Sequence, residues 1–144
     1  MSTDVAFFLA PDDRTAAGAH RGGPQGRFAA VTGRHFDAED AVDEWDAFFV
    51  GPASEQLFWQ RTDWIVPVTH DGSGTFALPP RLTRALAGAG AEELEDLADR
   101  WSERLRQEDG EDMTDDDLLA LLRAVAGLAT RTGPAGGNLY CWFS

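Results

Sequence analysis

The sequence predicts one α+β domain spanning 1–144: a small mixed sheet that contains the first and last strands and is packed by several helices. Three observations predict it. Val5–Ala10 and Leu139–Phe143 are apolar on both faces, which suits strands in the interior of a covered sheet. Between them lie two short apolar runs joined by a glycine-bearing turn. The last third repeats its apolar residues at helical spacing.

In order, Val5–Ala10 is a strand with Val5, Phe7 and Leu9 on one face and Ala6, Phe8 and Ala10 on the other. Pro11-Asp12-Asp13 ends it. Residues 14–35 are glycine-rich and read as a loop, with a short strand at Phe28–Thr32. A helix is expected over Ala38–Val50, capped by Asp37, with Val42, Trp45 and Phe49 at helical spacing and Gly51-Pro52 as its stop. Ser54–Gln60 reads as a short helix. Trp64–Val68 and Thr75–Leu78 form a hairpin, and Pro67 places its first strand at an edge, since proline has no N–H to give a ladder. Pro79-Pro80 opens a helix running to about Ala87. Longer helices follow over Ala91–Gln107, with the stripe Leu94, Leu97, Ala98, Trp101 and Leu105, and over Asp115–Arg131.

Charge and composition remove several chemistries. The net charge is −13, and all 12 cations are arginine. Without lysine there is no phosphate-binding P-loop, no Schiff base and no lysine general base. So acidic a chain repels phosphate backbones, so nucleic acid is not expected as a partner. One cysteine, Cys141, allows no internal disulfide, and no apolar run is long enough to span a membrane. The expected setting is the bacterial cytoplasm, with no membrane contact.

The order of elements, together with Asp43-Glu44-Trp45-Asp46-Ala47-Phe48-Phe49-Val50-Gly51, resembles the YfbM-like family of uncharacterised bacterial proteins. The resemblance implies a tryptophan-bearing helix ending in glycine, then a hairpin, a helical region and a closing strand. Met113-Thr114 stands where that family has a tyrosine-proline pair. The family has no established catalytic residues, so the resemblance implies fold and not activity.

Two groups of residues are candidate sites. In 14–35, Arg14, Arg21, Arg27 and Arg34 accompany His20, five glycines and no carboxylate. Arginine forks and approachable glycine backbone suit an anionic ligand; the plainer reading is a loop lying near the protein's own acidic surface. The second group is an interaction face. Glu39, Asp43 and Asp46 share one helical face with no cation in that helix, and Phe58 and Trp59 sit in an unusually apolar connection. His20, His35 and His70 lie far apart in sequence, and none has metal-ligand spacing. The carboxylate run Glu108–Asp117 lacks the order of a calcium loop.

No metal, cofactor or catalytic set is therefore expected. The leading expectation is a non-catalytic acidic binding protein, regulatory or toxin-neutralising, with a basic protein as its partner. The alternatives are a small-molecule anion binder or enzyme using 14–35, and a metal-binding protein.

Overall fold

The computed structural model describes residues 4–19, 28–34, 38–50, 63–69, 72–109, 115–132 and 137–144. Along the chain these form β1 (Asp4–Ala10), α1 (Asp13–Gly18), β2 (Ala30–Arg34), α2 (Ala38–Val50), β3 (Asp63–Val66) and β4 (Gly74–Ala77). Then come α3 (Pro80–Gly88), α4 (Ala91–Asp109), α5 (Asp115–Thr130) and β5 (Asn138–Phe143). The strands make one sheet in the order β2-β1-β5-β4-β3.

The two strands that are apolar on both faces lie side by side at the centre. β1 and β5 pair antiparallel, with Phe7 opposite Cys141 and Phe8 opposite Tyr140. Every described pairing is antiparallel, so the sheet is not mixed. The long helical excursion from β4 to β5 returns the last strand into the middle of the sheet. On one face Val5, Phe7, Leu139, Cys141 and Phe143 join Phe76 and Leu78 beneath the helices. On the other, Ala6, Phe8, Ala10, Tyr140 and Trp142 form a smaller cluster with Ala16 and Ala19. Both faces are dry, which is why neither strand alternates between polar and apolar.

The helical layer follows its sequence stripes. Leu94, Leu97, Ala98, Trp101 and Leu105 of α4 are buried, as are Leu118, Leu121, Leu122, Val125, Leu128 and Ala129 of α5. Trp45 of α2 is fully buried between Phe7, at 5.1 Å between ring centroids, and Trp101, edge-on at 5.2 Å. Aromatic pairs at such separations contribute beyond the area they bury. A polar clasp fixes α3 to the sheet. Thr83 Oγ1 donates to Asn138 Oδ1 at 3.0 Å, and Asn138 Nδ2 donates to the Leu78 carbonyl at 3.2 Å. Gly137, at φ +90°, precedes β5 where a Cβ would stand 2.3 Å from the Ala10 carbonyl oxygen, so only glycine fits.

The structure departs from the sequence reading in three places. α1 occupies what reads as loop: Asp12 ends the strand and also caps a helix, accepting from the Thr15 N–H at 2.7 Å. β2 begins at Ala30 rather than Phe28, and Phe28 packs instead against Phe8 at 5.6 Å. β3 is an edge strand, but it stops at Val66, leaving Pro67 just outside the ladder. The helix expected at Ser54–Gln60 lies outside the described residues.

The cap has a pH signature. Hydrogen bonding to Thr15, first through its side chain and then its backbone, holds the Asp12 carboxyl below the ordinary value of 3.8. A depressed folded pKa gives stability that is present above the unfolded value and lost as pH falls through the folded one. Titrating the Asp12 carboxyl carbon by NMR is expected to give a midpoint below 3.8. A midpoint at or above that value would mean that the cap is not made in solution.

Candidate functional site

The carboxylates of α2 are the natural starting point, because the sequence offers them no cation within their own helix. The fold supplies cations from elsewhere. Asp46 is only 3% exposed and takes a two-pronged hydrogen bond from Arg81 of α3: Nε to Oδ1 at 3.1 Å and Nη2 to Oδ2 at 2.6 Å. That pairing raises the Arg81 pKa still further. Glu44 accepts from Arg100 Nε at 3.1 Å and Arg104 Nη1 at 3.5 Å, both from α4. These three residues, with Glu103 and Gln107, line a polar recess of about 220 Å³.

The expected interaction face of Glu39, Asp43 and Asp46 is thereby corrected at Asp46, whose carboxylate faces the protein's own arginine and not solvent. Asp43 is half-buried, and the side chain of Glu39 lies outside the described residues. Phe58 and Trp59 also lie outside them.

The arginine segment is only partly described. Arg14 is exposed on α1, just past the Ala10 end of β1. Arg34 ends β2 opposite Asp4, at the other end of β1. A seven-residue strand places those ends roughly 20 Å apart, so the fold does not bring these two arginines together. Arg21, Arg27 and His20 lie outside the described residues, as do His35 and His70. Cys141 is buried in the core beneath the helices. Among the described residues no group of three or more His, Cys, Asp or Glu is placed to hold a metal ion, and no helix is long and apolar enough to cross a membrane.

One surface feature escaped the reading of the sequence. Glu92, Asp96, Asp99 and Glu103 of α4 follow one another at spacings of four, three and four residues, all exposed. At 100° per residue they fall on one line, directly opposite the buried stripe through Leu94, Leu97, Trp101 and Leu105. Of the arginines of α4, Arg100 and Arg104 pair with Glu44 in the recess that Glu103 borders, and Arg106 donates to Ser102 at 2.9 Å. Glu93 is also occupied, accepting from the Gly90 N–H at 3.2 Å, and Glu95 pairs with Arg123 of α5 at 3.6 Å. The signal for these four carboxylates is their spacing in the sequence, the complement of the apolar stripe on the same helix.

Family models, curated proteins and solved structures offer no match to this chain, so the site is read from its own residues.

Proposed function

We propose that this protein is a non-catalytic interaction module, regulatory or toxin-neutralising, which lays the carboxylate line of α4 against a basic surface of another protein. The observation that carries the reading is the segregation of charge on α4. Its arginines bind inward or sideways to the protein's own groups, while Glu92, Asp96, Asp99 and Glu103 face outward together.

Such a line has an internal cost. Like charges three or four residues apart on a helix destabilise it by roughly 0.2–0.5 kcal/mol per pair. Glu103 also lies toward the negative end of the helix dipole, which disfavours a carboxylate. A basic partner would relieve both terms and be steered in by the net charge of −13.

The test separates binding from folding. In the variant Glu92→Gln/Asp96→Asn/Asp99→Asn/Glu103→Gln, thermal stability is expected to hold or rise, because the repulsion is gone. A basic protein captured from the native cell by the wild type, then purified and reconstituted with it, is expected to bind at 50 mM salt. That binding should fall steeply by 500 mM, and the variant should fail to bind at either concentration. Equal binding by the variant, or binding indifferent to salt, would reject the acidic line as the interface.

A further inference from the structure

We propose that α1 is a latch, releasing from the sheet in a local opening reaction that leaves the five strands and the helical layer folded. The two faces of the sheet are covered very differently. Among the described residues, four helices and large side chains cover one; on the other, α1 contributes Ala16 and Ala19 to a cluster around Phe8, Tyr140 and Trp142, with Phe28 and Ile65 packed beside it. A helix of six residues is too short to be stable on its own. Alanine methyls also bury little apolar area, so packing alone holds α1 weakly. What positions it is polar: the Asp12 cap on the Thr15 N–H, and Tyr140, whose hydroxyl donates to Asp13 Oδ1 at 2.7 Å.

Tyr140 is 2% exposed and stands on the central strand, whereas Asp13 is exposed at the start of α1. The bond therefore links the most protected part of the molecule to one of its least protected. Releasing α1 uncovers the aromatic pair Phe8–Tyr140, whose rings stand 5.7 Å apart, and leaves the strand pairing of β1 with β2 and β5 intact. Local openings of this kind occur well below the free energy of global unfolding.

Native-state hydrogen exchange at increasing, sub-denaturing urea is the test. The amides of Ala16 and Ala19, bonded to the carbonyls of Asp12 and Thr15, report on α1. They are expected to exchange at least 100-fold faster than the amides of β1 and β5, with little dependence on urea. Tyr140→Phe removes the hydroxyl and Asp13→Ala its acceptor; each is expected to speed α1 exchange several-fold relative to the sheet. Asp13 is exposed, so that variant tests the latch without disturbing the core. Should α1 and sheet amides exchange at the same rate with the same urea dependence, or should both variants accelerate them equally, α1 is part of the global folding unit and the latch is overturned.

Discussion

Trp101→Ala is expected to lower the free energy of unfolding by roughly 3–5 kcal/mol. For a chain of this size, that corresponds to a fall in thermal midpoint of roughly 6–20 °C. The residue is 1% exposed and meets Trp45 edge-on at 87°, while Trp45 packs on Phe7 of the central sheet. Truncating the indole therefore opens a cavity beside Trp45, where α4 packs on α2, and removes the edge-on partner of a fully buried ring. Trp101→Phe retains most of the ring and is expected to cost well under half as much. Urea melts decide the matter: a loss below about 1 kcal/mol for the alanine variant would mean that the tryptophan is not a core anchor.

The elements read correctly from the sequence are those whose burial is written in their periodicity. Trp101 completes a stripe that only a helix can turn to one side, and the two-faced strands Val5–Ala10 and Leu139–Phe143 have no stable position except the interior of a sheet. What stayed hidden depended on distant partners or on competing local signals. Asp12 follows a proline at the end of a strand and looks like a stop, yet its side chain also satisfies the amide of Thr15 and starts α1. Asp46 lacks a cation in its own helix, and the arginine that meets it lies 35 residues further on. Only the fold brings them together.

The charges of α2 and α3 show why helix-dipole rules alone misplace a site. Asp46 lies in the later part of α2 and Arg81 in the first turn of α3. Arg81 stands in the first turn of its helix, where the dipole disfavours a cation, yet it meets the Asp46 carboxylate with two hydrogen bonds. Asp46, one of the five residues of the expected interaction face, is thus part of an internal fastening. Glu92, Asp96, Asp99 and Glu103 of α4, by contrast, are exposed at the surface.

Removing the cation from that fastening is the second large effect expected. Arg81→Ala leaves a carboxylate 3% exposed to water without its two-pronged donor. Breaking a buried ion pair from one side costs roughly 3–5 kcal/mol. The Arg81 side chain is 42% exposed, so solvent reaches the pair from its side, and the expected loss is reduced to roughly 2–3 kcal/mol. Asp46→Asn should cost less, because an amide still accepts from the guanidinium and the half-exposed arginine can turn to water. The double variant Asp46→Leu/Arg81→Met is expected to be more stable than Arg81→Ala alone, since it buries no charge. A double-mutant cycle in urea measures the coupling. If Arg81→Ala costs no more than Asp46→Asn, the carboxylate does not depend on this arginine, and the contact between α2 and α3 is held by packing instead.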